Sequence, residues 1–455
     1  MIERKAAEQM AVHLRNSRLC RHGADDAAAI RQPVSMNFSL RKGLDIAVDG
    51  APEQVVGATR DVSSVAVLGR DFPGVRPEFR VAEGDRVCAG QVLFIDRKRP
   101  RIRFAAPACG TVEHIVAGHR RMLDKLIIRV EGDGAETFRQ AATARDRETL
   151  REVLLSSGSW PAFRTRPFGR IPDPESMPAA IFVTAIETDP LAADARIILD
   201  RHIEAFKQGV GALAHLTDGP VFVCQPPGPE LVQSEERLRV ASFAGPHPAG
   251  LPGTHIHHLM PASAKRTVWH IGYQDVIAVG HLLETGRLWT ERTVALGGPG
   301  MRQPRLTRTR LGASIEDLIA GETRDGAVQL VSGSVLSGRS SAYLGRYHTQ
   351  VTVLKNGWPA RPRSLLGTVS GWLPRAASGG PIIPIESLDA AMPLDILPLP
   401  LMRALAIGDV ETAERLGCLE LVEEDVALLS HLCPDGADYG ALLRQILDEL
   451  EGGGR

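Results

Sequence analysis

Lysine is scarce in this 455-residue chain. It stands only at positions 5, 42, 98, 125, 207, 265 and 355, so arginine carries most of the 53 basic charges. We read this as a genome-wide bias, and local arginine clusters therefore do not mark nucleic-acid patches. Charge of one sign is missing too. Fifty-four acidic residues leave a net charge of -1, which gives no bulk field to draw nucleic acid or acidic lipid. The six cysteines, at 20, 88, 109, 224, 418 and 433, include no Cys-x-x-Cys pair. That spacing supplies no local ligand set for a zinc ribbon or an iron–sulfur cluster, and scattered thiols fit a reducing compartment. Long hydrophobic runs are absent: Ala179–Ile186 and Val276–Leu283 fall far short of the ~20 residues of a membrane helix. The N-terminus has no apolar h-region of the signal-peptide kind. A nucleophile elbow, a cysteine with an evident histidine partner and a carboxylate pair at catalytic spacing are also missing. The chain shows no self-sufficient active site.

What is present divides into five segments. Residues 1–35 are polar and unconnected in pattern to the rest of the chain; they read as a disordered extension, with Met36 as the true start. Residues 36–135 are short strands punctuated by Gly and Pro, the pattern of an all-β sandwich or barrel. Its firmest part is Phe79–Val112, where Gly84-Asp85-x-Val87-x-x-Gly90-Gln91 and Ala106-Pro107-x-x-Gly110-x-Val112 supply two half-barrels of the biotinyl/lipoyl-carrier type. Residues 136–285 alternate buried strands (Ala180–Ile186, Val221–Cys224, Arg239–Phe243) with a helical stripe at Leu199–Leu216, which predicts a βαβ-type three-layer domain. Residues 286–385 read as a compact β-α-β unit followed by a linker at 355–385. Residues 386–455 read as helical. One helix is predicted over Pro400–Leu416, capped by Gly417, and another over Glu423–Leu432, opened by three acids.

Four motifs compete with plainer readings. Lys98 lies at the tip of the hairpin Asp96–Pro100, where a carrier would bear its modified lysine. No carrier motif surrounds it and it falls about two residues early, so a solvated hairpin charge is preferred. Gly209-x-Gly211-x-x-Ala214 resembles a dinucleotide fingerprint, but it sits inside a helical stripe, which indicates close helix packing. Gly333–Ser340 is nearly a P-loop, yet no helix is predicted after it to hold phosphate. His247, His255, His257, His258, His270 and His281 cluster in sequence. His255 and His257 are expected on one face of a strand within a Gly/Pro loop, as ligand or interface residues rather than metal ligands.

Longer phrases then accumulate in order: SGSWPAFRTRPFGRIP (157–172), IFVTAIETDPLAAD (181–194), HPAGLPGTHIHHL (247–259), VWHIGYQDVIAVGHLLETGRLWTERTVALGGP (268–299), AYLGRYHTQV (342–351) and LGCLELVEEDVALL (416–429). From Met36 almost to the C-terminus the chain resembles the A subunit of the bacterial Na+-translocating NADH:quinone reductase. The resemblance implies an α+β / α/β multidomain fold: a barrel-sandwich domain, a Rossmann-like domain, a ubiquitin-like β-grasp domain of the soluble-ligand-binding type and a C-terminal helical domain. It implies a peripheral subunit on the cytoplasmic face of the inner membrane, working with the B to F subunits and especially the membrane-embedded B subunit. The complex passes electrons from NADH to ubiquinone and exports Na+. Its flavins and iron–sulfur centres would lie on other subunits, leaving none here and no turnover by this chain alone. Similar proteins are the C subunit of the Rnf complex and the NADH-binding subunit of respiratory complex I. Those carry cysteine-rich clusters near the C-terminus, where this chain has only Cys433-Pro434. The rival readings are a carrier module modified at Lys98, an autonomous NADH- or quinone-binding oxidoreductase and an Rnf-like subunit. Should quinone contact this chain, the expected residues are Gly250, Gly253, His255 and His257, because glycine admits a close ligand and a neutral imidazole donates to a carbonyl.

Overall fold

The computed structural model describes residues 36–118, 122–355, 382, 386–433 and 436–453. The 1–35 extension, the choice of Met36 as start and nearly all of the 355–385 linker lie outside the described residues. Met36–Arg455 forms one unit.

The first two strands do not join the barrel. β1 (Met36–Ser39) and β2 (Glu53–Thr59) instead extend two later sheets. The barrel itself is two facing sheets. One holds β3 (Ser64–Leu68), β5 (Arg86–Val87), β8 (Gly110–Ala117) and β9 (Leu123–Val130) in the order β3-β9-β8-β5. The other holds β4 (Pro77–Phe79), β6 (Val92–Asp96) and β7 (Arg99–Ala105) in the order β4-β6-β7. Alternate residues point inward, as a pleated strand requires. Val87, Leu93, Ile102, Val112, Leu126 and Ile128 are buried, and Phe94 stacks on its cross-strand partner Phe104 at 4.5 Å. Arg97 and Lys98 form the two-residue turn between β6 and β7. The Asp96 carboxylate, fully buried, accepts from the Lys98 amide at 3.1 Å and from Arg99 Nε at 3.0 Å. The hairpin is braced rather than free.

After α1 (Arg147–Ser156, capped by Asp146) come β10 (Arg164–Arg166), β11 (Ile181–Thr184), α2 (Ala195–Arg201), α3 (Ile203–Leu213), β12 (Val221–Gln225), β13 (Leu238–Ala244), α4 (Pro252–Leu259), β14 (Val268–Gly272) and α5 (Tyr273–Thr285). Their sheet runs β1-β13-β12-β11-β14-β10, parallel except for the edge strand β10. The order proceeds from β11 outward through β12 and β13, then returns to β14 on the other side. The switch point lies between β11 and β14. Two helices on one face, α3 and α5, cross at backbone distance. A Cβ on Gly209 would stand 2.2 Å from the Val276 oxygen, and one on Gly280 would stand 1.8 Å from the Ala205 oxygen. The apparent dinucleotide fingerprint is therefore a helix-packing motif.

The third sheet, β18-β17-β19-β15-β16-β2, contains β15 (Glu291–Gly297), β16 (Arg305–Arg310), β17 (Val328–Ser332), β18 (Arg339–Ser340) and β19 (Gln350–Lys355), with α6 (Ile315–Ile319) across it. Helices α7 (Glu386–Ala391), α8 (Pro398–Ile407), α9 (Val410–Arg415), α10 (Ala427–Leu432) and α11 (Tyr439–Gly453) complete the chain. The single helix expected over Pro400–Leu416 is two. Gly408 adopts φ +73°, and the next residue, Asp409, accepts from the Thr412 amide to start α9. A left-handed glycine followed by an N-capping aspartate ends one helix and begins another.

Glycine substitutions separate packing from propensity. Gly209→Ala and Gly280→Ala should each destabilise by about 1–3 kcal/mol through overpacking. The exposed Gly211, with nothing within 4 Å of its Cβ position, should gain by about 0.5–1 kcal/mol as Ala. Chemical denaturation of the three variants reads the signs directly.

Candidate functional site

In an open parallel sheet, ligands bind beyond the carboxyl ends of the strands at the switch point. Here a cavity of about 1280 Å³ stands at that place, larger than most small-molecule pockets. Thr184, Glu187 and Asp189 line it from the end of β11, and Gly272, Tyr273 and Gln274 from the end of β14. Loops of the third sheet and the C-terminal helices wall it on the remaining sides, through residues such as Ser334, His348, Glu424 and Arg444.

The loop after β11 carries carboxylates where a nucleotide-binding turn would carry glycines. Glu187 keeps part of its surface open to the cavity, but protein encloses it. That desolvation, with Asp189 and Glu424 nearby, pushes its pKa up to about 8, although a hydrogen bond from Thr349 opposes the shift. Glu187 is therefore largely protonated at neutral pH. Oγ1 of Thr184 and Oδ1 of Asp189 are sealed from solvent without a hydrogen-bond partner. His348 is held neutral: burial lowers its pKa to about 4, Arg339 adds to the effect, and its Nδ1 lies 2.7 Å from Ser332 Oγ.

The cationic side is mostly neutralised in place. Asp275, in the first turn of α5, takes Arg292 and Arg346; burial opposes its ionisation, but the two guanidiniums outweigh it and hold its pKa low. Arg339 pairs with Asp71, and Arg444 with Glu423. Arg164 lies over the Tyr347 ring at 5.1 Å. In the P-loop-like segment, the Leu336 and Ser337 amides donate to Ser334 Oγ and the Gly338 amide to the Ser334 carbonyl. Those donors are spent locally and form no phosphate cradle.

Arg166 joins this domain to the helices. It is fully buried at the end of β10. Its Nη1 reaches His270 Nε2 at 2.7 Å, and its Nη2 reaches Glu424 at 3.0 Å and Asp425 at 3.1 Å. His270 is neutral, driven well below its usual pKa by burial and then by Arg166, so it accepts from the guanidinium. The three acids expected to open a helix do not do so. They occupy the turn before α10, where Asp425 accepts from the Val422 amide and the others bind Arg166 and Arg444, because a buried arginine needs carboxylates more than a short helix does.

The four residues singled out from sequence lie on one wall, and only Gly250 lines the cavity. His255 and His257 share no strand. They stand two apart on helix α4 and face different ways. His255 is fully buried, with Nε2 2.9 Å from the Ala249 carbonyl and Nδ1 unpartnered, and burial lowers its pKa to about 3. His257 ties α4 to the helical domain through Glu420 at 2.8 Å and the Asp395 amide at 3.1 Å. Gly253 has no Cβ because Asp425 Oδ1 would lie 2.1 Å from it. The residues missed were Thr184, Glu187, Asp189 and Tyr273. Their signal was polar residues placed directly after fully buried strands.

Family models match the chain in three consecutive pieces: an NqrA N-terminal barrel-sandwich hybrid domain at 38–131, an NqrA second alpha/beta domain at 145–288 and an NQRA C-terminal domain at 293–342. The A subunit of the Na+-translocating NADH-quinone reductase of Pseudomonas aeruginosa is 45% identical over 444 residues, spanning 91% of this chain and 99% of its own. The same subunit of Shewanella frigidimarina is 46% identical with the same coverage, and that of Klebsiella pneumoniae 45%. The chain belongs to the A-subunit family of Na+-translocating NADH-quinone reductases. Among the described residues no helix is long and apolar enough to cross a membrane. No group of three metal-binding side chains is assembled among them either.

Two outcomes test the electrostatics. Arg166→Gln strands two carboxylates and should cost roughly 3–5 kcal/mol at pH 7.5, less near pH 4, where Asp425, its pKa raised to about 6 by burial, is protonated; unfolding at both pH values measures it. For Glu187 the native pKa lies above the unfolded one. The native state therefore holds a proton that the unfolded chain releases, and stability falls as pH rises from about 4.5 to 8. Glu187→Gln should flatten that slope and stabilise the protein at pH 8 by about 3 kcal/mol.

Proposed function

We propose that this chain is the cofactor-free architectural subunit of the reductase complex, and that its switch-point cavity receives the quinone headgroup. It would dock from the cytoplasmic face onto membrane-embedded partners, the B subunit foremost, leaving flavins, iron–sulfur centres and NADH oxidation to the B to F subunits. The chain then contributes to Na+ export coupled to ubiquinone reduction without carrying electrons itself.

The observation that carries this reading is the character of the loop after β11. A dinucleotide needs a glycine turn whose amides face its diphosphate. This loop has no glycine between 185 and 194 and offers Glu187 and Asp189 instead. A quinone is neutral, and its two carbonyls accept hydrogen bonds. Protonated Glu187, part of whose surface is open to the cavity, donates to a quinone carbonyl, and its own carbonyl oxygen accepts from the hydroxyl of the reduced form. Gly250 leaves room on the facing wall. Gly253, His255 and His257 support that wall by fixing α4 against Asp425 and Glu420.

Gly272 provides the test. Its φ of -76° suits any residue, and nothing lies within 4 Å of its Cβ position. Gly272→Leu should therefore project into the cavity at the end of β14 without strain. Calorimetric titration of the full-length chain with a short-chain ubiquinone should show binding to the wild type and at least a tenfold loss in Gly272→Leu. The Gly211→Ala control should bind normally. Unchanged affinity in Gly272→Leu, or loss in His257→Ala alone, would move the site elsewhere.

A further inference from the structure

The cysteines, scattered in sequence, meet once in the barrel. β5 and β8 run antiparallel with Arg86 opposite Thr111 and Val87 opposite Gly110. The ladder ends there: Cys88 directly follows β5 and Cys109 directly precedes β8, so both leave the paired strands at the same end. Both cysteines are reduced and partly exposed.

A strap crosses above them. The Glu131 amide donates to the Cys109 carbonyl at 3.0 Å, and the Ala89 amide donates to the Gly134 carbonyl at 2.9 Å, so Gly132-Asp133-Gly134 spans the two thiols. Gly134 has no left-handed φ to explain it. Its absent side chain is explained by sulfur: a Cβ there would meet Cys88 Sγ at 3.1 Å and Cys109 Sγ at 3.2 Å. Two sulfurs that close to one point lie within about 6 Å of each other, a gap that rotation about χ1 can close to a bond. The other described cysteines are set apart. Cys224, Cys418 and Cys433 are buried, and burial pushes the Cys224 thiol well up and the Cys418 thiol to about 12.

We infer that Cys88 and Cys109 form a dithiol site that a hydroperoxide converts reversibly to a disulfide. One thiolate attacks a peroxide oxygen; an S–O bond forms, the O–O bond breaks, and the leaving oxygen departs as water with the thiol proton. The second thiol attacks the resulting sulfenic sulfur; the S–S bond forms, the S–O bond breaks, and a second water leaves. Each sulfur gives up one electron and hydrogen peroxide is reduced to two waters. A thiol reductant restores the pair. At Gly134, where the strap meets both sulfurs, there is no side chain to block the closure.

The full-length protein, treated with a few equivalents of hydrogen peroxide and digested without reductant, should yield a Cys88–Cys109 linked peptide pair, lighter by about 2 Da than the two reduced peptides. Dimedone should trap little sulfenic acid in the wild type and a full equivalent at Cys109 in Cys88→Ser, where no partner resolves it. Gly134→Val, which interposes a side chain between the sulfurs, should slow disulfide formation at least tenfold. Absence of the linked peptide with both thiols unmodified or overoxidised, or an unaltered rate in Gly134→Val, would overturn the inference.

Discussion

A buried guanidinium organises this molecule. Arg166 has no exposed surface, and three partners from two domains converge on it: His270 from β14, and Glu424 and Asp425 from the turn before α10. Removing such a charge from water is costly, and only paired, hydrogen-bonded carboxylates offset that cost. The helical domain is therefore bound to the edge of the parallel sheet by necessity of charge. Arg170 and Arg444 extend the same seam, to Asp448 and Glu451 in one case and to Glu423 and the Phe168 carbonyl in the other. The cavity exists because this seam closes the open end of the sheet.

Closure then dictates the chemistry inside. Burial disfavours charge, so each ionisable group either finds a partner or gives up its charge. Asp275 is paired with two arginines and stays ionised. Glu187, facing other acids, keeps its proton, and His348 and His270 lose theirs. The result is a chamber of neutral donors and acceptors beside compensated ion pairs. It suits an uncharged, hydrogen-bonding ligand and opposes a phosphate.

Much of the architecture was legible from residue pattern. The half-barrel glycines, the buried runs at Ala180–Ile186 and Val221–Cys224 and the helix-packing role of Gly209 all act locally, over a turn or a strand. What escaped depends on partners distant in sequence. β1 and β2 join strands more than 200 residues away. Glu423, Glu424 and Asp425 looked like a helix opening because the arginines that claim them lie at 166 and 444. His255 and His257 looked like strand residues because the Gly/Pro loop before them hides the start of α4. Cys88 and Cys109 meet only at Gly134, beyond the ends of β5 and β8. The site was the least legible part. Its walls come from all four domains, the barrel contributing Arg70, Asp71 and Pro73, and its key residue, Glu187, is distinguished by its surroundings rather than by any motif.

Hydrogen exchange on the intact complex, with and without a short-chain ubiquinone, tests the placement of the site most directly. A quinone at the switch point should slow exchange of amides at 184–189 and 272–275 together, two segments that are distant in sequence and adjacent only across the cavity. Protection confined to 252–259, or none anywhere in this chain while the complex still reduces quinone, would contradict a quinone site between β11 and β14.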